Sequence, residues 1–527
     1  MPASEKTKPY LFTLFIFVAV TSTYFFQGAN PNTNSRFNLA RAIAEQGTLQ
    51  IDTYAANTVD KSFFQGHYYS DKAPGMAFLE AGILKLINPL LPFFTNDRHV
   101  RANAQLCVLQ FLLLSLLTAW TATLFFRLAQ ELLEVDSPSL AFALTLVCFG
   151  ATFLFPYSTF LISHQLAADW LFITFYYVRR LENRRLSRAS LLGLLLFISF
   201  GAMIEYPVSP WLALAYFFVV FRSWKQEGIY LLLPGTAMAL LLGLYNHFAF
   251  GSAFRLGYGN LDGTPFASGM SQGFFGIQHF AIARVFHLLF SGYRGLFFYN
   301  PVFFFSLLGL GYGLRKKRYR GLAIMISLLF IYFVVLNASY NFWQGGACFG
   351  PRHLVPALPF LFLPIFFLPS TWLVSPVLWL VALLSWTFMM VGTAVTLMPF
   401  EPLSEPFWNY LLPLFLHGDL SITSHPVLQG ELHLPNAEVA AWASFNFGEL
   451  LLGLRGKASL IPLLLFQFVI LAGILGIPAF NYVFKFCGLL RSRRAIRWSV
   501  SKLDYFLFST LLISLLMGIY ARSSGAF

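Results

Sequence analysis

Long apolar blocks alternate along this chain with short basic segments and with longer polar ones. The apolar blocks lie near 10–27, 104–126, 139–157, 158–178, 189–206, 207–221, 229–247, 296–314, 321–338, 353–369, 372–395, 458–480 and 504–520. An α-helix needs about 20 apolar residues to cross a bilayer. The pattern therefore predicts an all-α polytopic membrane protein of about thirteen transmembrane helices, built as a single transmembrane domain over 1–527. Residues 75–93 are also apolar but are interrupted by Lys85, Asn88 and two prolines, which predicts an interfacial or re-entrant helix. The block at 10–27 is longer than a signal-peptide core of about 7–15 residues, and no small-x-small site follows, so it reads as an uncleaved helix.

Composition agrees with this pattern. Only 11% of the residues are charged, against about 25% in an ordinary soluble domain. The formal charge of +13 would suggest nucleic acid in a soluble chain. Here the basic residues gather between apolar blocks: Arg179, Arg180, Arg184, Arg185 and Arg188; Arg222 and Lys225; Arg315, Lys316, Lys317, Arg318 and Arg320; Lys485, Arg491, Arg493, Arg494 and Arg497. With a cytoplasmic N-terminus every strong cluster falls on the cytoplasmic side, as the positive-inside rule requires, so the expected partner is the lipid bilayer and not nucleic acid. The expected location is the inner or plasma membrane. The segments 28–103, 248–295, 339–352 and 396–457 then face outward, and elaborate loops on one face point to chemistry there. The four cysteines (Cys107, Cys148, Cys348 and Cys487) show no CxxC or disulfide pattern.

The first of these loops is the richest. Phe37, Leu39, Ala40, Ile43 and Ala44 alternate at helical spacing with Arg36, Arg41 and Glu45. This predicts an amphipathic helix over 36–46, capped by Asn34 or Ser35, ended by Gly47 and lying flat at the membrane surface. Three aspartates follow, Asp52, Asp60 and Asp71, with His67, Tyr68, Tyr69 and Lys72 among them. Either this is a solvated loop, or its charges are held at the membrane surface as a site. Transfer of a sugar from a phosphate-linked lipid needs a carboxylate to take the acceptor's proton and a cation to hold the departing phosphate. An anion-coupled transporter would use the same inventory.

The loop resembles that of the GT-C superfamily of integral-membrane glycosyltransferases, in particular the protein O-mannosyltransferase and aminoarabinose-transferase-like branch. The segment from Arg36 to Gly47 is similar to the family's juxtamembrane helix, and Tyr69-Ser70-Asp71-Lys72-Ala73-Pro74-Gly75 to its Tyr-x-(acid)-Lys-x-Pro stretch. The resemblance implies a GT-C-like bundle with juxtamembrane helices in the first external loop. It also implies inverting transfer from a polyprenyl-phosphate sugar donor to a lipid, glycan or protein acceptor, with Lys72 on the donor phosphate and Asp71 as a site acid or metal ligand. The family's acidic pair after the first helix is replaced here by Asn32-Thr33-Asn34-Ser35. The base is then expected among Asp52, Asp60 and Asp71.

Later segments add candidates. Arg352 follows Trp343-Gln344-Gly345-Gly346, a stretch similar to a Trp-x-Gly-Gly...Gly-Pro-Arg loop of GT-C-like proteins, and is either a phosphate ligand or a snorkelling arginine at a tight turn. Arg294 is a second phosphate candidate. Arg36, His67, Tyr69, His164, Glu205 and Trp343 are expected to line the substrate site, with His164 and Glu205 at similar depth, either as a site pair or as a structural hydrogen bond. The segment 257–263 suggests a mobile acceptor loop, and Glu401, Glu405, Glu431 and Glu438 punctuate the last large loop. No His-x-x-x-His or similar ligand spacing occurs, which leaves a divalent metal open. GxGxxG and Walker signatures are absent, so no nucleotide-sugar site is expected. A transporter or lipid flippase is the main alternative function, and a noncatalytic scaffold the third.

Overall fold

A computed structural model describes residues 7–96, 98–181, 186–262, 265–422 and 444–474. The block at 504–520, the end of the block at 458–480, Cys487, Glu431, Glu438, Gly263, Arg184, Arg185 and the basic group from Lys485 to Arg497 lie outside these residues.

Helix α1 (Lys8–Thr23) leads through the two-residue strand β1 (Phe25–Phe26) into α2 (Pro31–Arg41), which continues as a π-helical turn to Gln46. A hairpin of β2 (Ser62–Phe64) and β3 (His67–Tyr69) precedes α3 (Gly75–Ile87). Next come α4 (Arg98–Leu109), α5 (Leu116–Leu132), α6 (Pro138–Gly150), α7 (Leu154–Ser158), α8 (Ser163–Arg180), α9 (Arg188–Gly201), α10 (Ser209–Glu227) and α11 (Leu233–Phe250). The second long loop holds α12 (Pro265–Met270) and α13 (Ile282–Leu289). The chain continues through α14 (Leu296–Tyr299), α15 (Phe303–Arg315), α16 (Arg320–Ser339), α17 (Leu358–Phe362), α18 (Ser370–Leu373), α19 (Pro376–Val395) and α20 (Leu412–His417). It then reaches β4 (Phe445–Asn446), α21 (Phe447–Leu452) and α22 (Ile461–Ile474). Antiparallel pairing of Phe25 with Asn446 and Phe26 with Phe445 joins the end of α1 to the start of α21.

The fold is predominantly α-helical. Among the described residues four helical runs are long and apolar enough to cross a membrane: Val100–Leu132, Tyr206–Phe250, Arg320–Ser339 and Pro376–Val395. Shorter apolar helices, α1, α6, α9 and α15 among them, pack beside them. The run Tyr206–Phe250 folds back on itself. The Tyr216 hydroxyl donates to the Leu231 carbonyl and accepts the Gly235 N–H. In a straight helix residues 216 and 235 would stand about 28 Å apart. The reversal occurs at Gly228, which has φ +55°. Phe217, Phe221, Leu240, Leu328 and Leu380 on these helices are exposed, as a lipid-facing surface would be.

Three expectations change. The helix predicted over 36–46 starts five residues earlier, at Pro31, where Asn30 caps it by accepting the Thr33 N–H at 2.9 Å. Gly47 ends it, in the left-handed conformation expected of a helix-terminating glycine. This helix has no solvated face along 33–40, because protein covers it on both sides. Phe37, Leu39 and Ala40 are buried with the core, and Asn34, Ser35, Arg36 and Asn38 turn into polar partners within the protein. The stretch predicted as a loop around His67 is a hairpin whose tight turn places Gln65 and Gly66 at positive φ. Finally, the block at 353–369 is no continuous α-helix. Pro356, Pro359 and Pro364 remove backbone donors, and Arg352–Phe367 alternates 3₁₀ and α turns. Such a segment is tolerated at membrane depth only inside protein, and the residues from Leu354 to Phe367 are all buried. A Cβ on Gly309 of α15 would lie 1.9 Å from the Pro364 carbonyl oxygen, so only glycine allows this contact.

Candidate functional site

The first long loop is fastened to the break between α9 and α10. The Gly75 N–H donates to the Met203 carbonyl at 2.7 Å, and a Cβ on Gly75 would meet that carbonyl carbon and oxygen at 2.6 Å. On the other side the Ser62 hydroxyl donates to the Gly257 carbonyl at 2.7 Å. These ties bring α2, the loop segments on either side of the hairpin, the break before α10, the 257 segment and the Pro-rich stretch around one cavity of about 1330 Å³.

One end of the cavity is charged. Arg36 from α2, Asp60 and Lys72 from the first loop, His164 from the first turn of α8, Glu205 from the α9–α10 break and Arg352 all line it. Lys72 Nζ stands 2.9 Å from Asp60 Oδ2 and 2.8 Å from Asp71 Oδ2. Asp71 is fully buried behind the lysine and also accepts from the Ser35 hydroxyl at 2.9 Å. Burial pushes the Asp71 carboxyl above its ordinary range and Asp60 adds to this, while Lys72 and Ser35 pull the other way. For Lys72, burial works against the charge, but Asp60 and Asp71 together outweigh it and hold the ammonium above its usual value. Lys72 is thus a buried ammonium whose charge is balanced by Asp60 and Asp71.

Beside this triad, Arg36 Nη2 donates to Glu205 Oε2 at 3.2 Å, the Ser163 hydroxyl donates to the same oxygen, and His164 Nδ1 lies 3.8 Å from it. The His164 ring meets the His353 ring edge to face at 4.9 Å. Several polar atoms here are buried without a hydrogen-bond partner among the described residues: Arg36 Nε, His164 Nε2, Arg352 Nε and His353 Nε2, together with both ends of the Asn337 amide on α16. Each such atom costs about 1–3 kcal/mol if left unsatisfied. These atoms belong to residues that line the cavity, but they are themselves sealed within the protein.

The other end is apolar. Pro210 and Ala213 of α10, Phe333 and Leu336 of α16, and Phe274 and Ile277 of the second long loop form its walls. Gly345 and Gly346, both at positive φ, bring backbone to the rim, and a Cβ on Gly345 would press on Arg352 at 3.1 Å. The cavity thus combines a group of charged side chains with largely apolar walls.

Of the residues singled out from the sequence, Arg36, Asp60, Lys72, His164, Glu205 and Arg352 meet in this cavity. Glu401 of the last large loop also lines it, with its Oε1 accepting from the Gln344 amide at 2.7 Å, whereas the remaining candidates named for catalysis or binding do not. Asp52 and His67 are paired with each other at 2.8 Å on the exposed side of the hairpin, because β3 turns them outward. Asp71 is sealed behind Lys72 and reaches the cavity only through it. Tyr69 is buried against Phe250. Trp343 packs on His287 and Tyr293. Arg294 is not placed to hold a phosphate. Its fully buried guanidinium donates to the carbonyls of Gln344, Gly346 and Cys348 and stacks on the Tyr293 ring, so it clamps the loop that carries the paired glycines.

Sequence reasoning passed over Asn32, His353 and Asn337, all of which line the cavity. Asn32 stands where the acidic pair was expected and accepts from Arg36, and His353 directly follows Arg352, so both had a signal in their neighbours. Asn337 had none. Among the described residues no group of three or more His, Cys, Asp or Glu side chains is arranged to hold a metal ion. Comparison with protein-family models, with curated proteins and with solved structures finds no match for this chain, so a functional reading rests on these residues themselves.

Proposed function

We propose that this chain is a multi-pass membrane glycosyltransferase that moves a sugar from a polyprenyl-phosphate donor to a lipid, glycan or protein hydroxyl. The observation that carries this reading is the two-part cavity. A phosphate flanked by Lys72 and Arg352 would satisfy the charged end, and an isoprenoid chain would fill the apolar trough between α10 and α16. A ligand with a single charged group on a long hydrocarbon chain matches both halves at once, whereas a free sugar nucleotide would leave the apolar half wet. Arg36, His164 and His353 line the same cavity and would face the sugar and phosphate oxygens.

In this reading about thirteen helices cross the inner or plasma membrane with the N-terminus cytoplasmic, and the cavity opens at the external face. The attack inverts the anomeric carbon. The acceptor oxygen bonds to that carbon as its bond to the phosphate oxygen breaks, the proton passes to a carboxylate, and Lys72 and Arg352 stabilise the polyprenyl phosphate that leaves.

The test uses the full chain in lipid nanodiscs. Undecaprenyl phosphate, the shared leaving group of such donors, should bind. Synthetic undecaprenyl-phosphate hexoses and pentoses should release it when offered acceptor alcohols. A protein that binds no undecaprenyl phosphate would end the reading. Binding with transbilayer movement of the lipid, and no release from any donor, would replace it with a flippase.

A further inference from the structure

We infer that Glu205, and not one of the first-loop aspartates, is the base that takes the acceptor's proton, an assignment that rests on the glycosyl-transfer reading above. Three relationships point to it. First, Asp60 and Asp71 are both committed to Lys72, at 2.9 and 2.8 Å. In a single in-line displacement the base approaches from the face opposite the leaving group. A carboxylate already paired with the lysine that holds the leaving phosphate is the less available base. Second, Glu205 has partners other than Lys72. Its Oε2 takes Arg36 and Ser163, and His164 lies beside it. Its Oε1 takes no bond from the described residues and is not among the sealed atoms, although the residue itself is buried. One oxygen is thus anchored and the other is left for a ligand in the cavity that Glu205 lines. Third, the backbone fixes the position. Glu205 is extended, with φ −153°, two residues before Pro207 and two residues beyond Met203, which is tied to the first loop.

In the step, the acceptor hydroxyl gives its proton to Glu205 Oε1 while its oxygen bonds to the anomeric carbon. The electron pair of the breaking carbon–oxygen bond leaves with the polyprenyl phosphate. Asn32, at the place where an acid was expected, accepts from Arg36 and helps hold that guanidinium against Glu205.

The experiment compares wild type, E205Q, E205A and D60N in nanodiscs, with undecaprenyl phosphate binding and release from undecaprenyl-phosphate sugars measured in parallel. General-base catalysis contributes about 10²–10⁴-fold. E205Q should lose at least about 100-fold in release while its Kd for undecaprenyl phosphate stays within about threefold. Added formate should restore part of the E205A rate, which a purely structural glutamate would not allow. D60N removes a negative charge from beside Lys72, so it should leave undecaprenyl phosphate binding as tight or tighter and slow release far less than E205Q. Near-normal release by E205Q, or loss of release in E205A that formate does not restore, overturns the assignment while leaving the donor reading intact. Failure of wild type to bind undecaprenyl phosphate overturns the donor reading itself, and wild-type binding without release from any donor overturns catalysis by Glu205.

Discussion

Gly75 donates its N–H to the Met203 carbonyl at 2.7 Å, and through this one bond the loop carrying Lys72 is registered against the break carrying Glu205. No side chain fits there, since a Cβ would meet the Met203 backbone at 2.6 Å. Gly75→Ala is expected to force the two segments apart, with a stability loss of about 1–3 kcal/mol and weaker binding of undecaprenyl phosphate. Thermal melting and lipid binding in the same nanodisc preparation check both. An alanine variant with wild-type melting and binding would show that this contact does not position the site.

Arg294 and Arg352 looked alike in sequence and differ in structure, which sets up a crossed prediction. Arg294 bonds three carbonyls of one loop, so Arg294→Lys should destabilise the protein by at least about 2 kcal/mol, because an ammonium cannot reproduce the planar fork. Its affinity for undecaprenyl phosphate, measured below the melting range, should change little. Arg352→Gln should do the reverse, weakening binding by about tenfold or more with little change in melting. The opposite pattern would return Arg294 to the ligand site.

Much of this organisation was legible in the sequence, and the exceptions share a cause. Hydropathy located the long helices because apolar length is a local property. The charged end of the cavity was legible as residue types: Arg36, Asp60, Lys72, His164, Glu205 and Arg352 all stood out as polar groups at apolar boundaries. Their partners were not legible. Whether Asp52 faces a site or His67 depends on the alternation of a three-residue strand. Whether Arg294 holds phosphate or carbonyls depends on a loop 50 residues away. Residues 353–369 carry the hydropathy of a span, but three prolines and complete enclosure make them a core segment, and enclosure is a tertiary property.

Glu80 gives a pH prediction. It is buried on α3 with neither carboxylate oxygen hydrogen-bonded among the described residues, and burial raises it to about 8 against a small opposing effect of Arg36. The unfolded chain would hold it near the ordinary value of about 4.3. The folded state therefore binds this proton more tightly, and folding takes it up between those two values. Stability should fall as pH rises through that window, by about 1.4 kcal/mol per pH unit at most, and level off above about pH 8. Glu80→Gln keeps the shape without the charge. Its melting temperature should match wild type near pH 4, exceed it increasingly up to about pH 8 and keep a constant lead above that. Parallel melting curves across that range would contradict a buried neutral acid.

The apolar trough makes the most direct demand on ligand chemistry. Ala213 on α10 and Leu336 on α16 line it, and neither belongs to the charged cluster. Each buried methylene of a bound chain contributes about 0.8 kcal/mol. Undecaprenyl phosphate should therefore bind far more tightly than geranyl phosphate, and inorganic phosphate should bind weakest. Ala213→Trp would fill the trough without touching Lys72 or Arg352. It should weaken undecaprenyl phosphate by about tenfold or more, the effect of about two lost methylenes, and leave inorganic phosphate unchanged. The same substitution would barely affect a ligand held by its phosphate alone. Equal losses for both ligands would mean that the tryptophan had disturbed the charged end. No loss for either would mean that the isoprenoid chain runs elsewhere, and the two halves of the cavity would then serve different molecules.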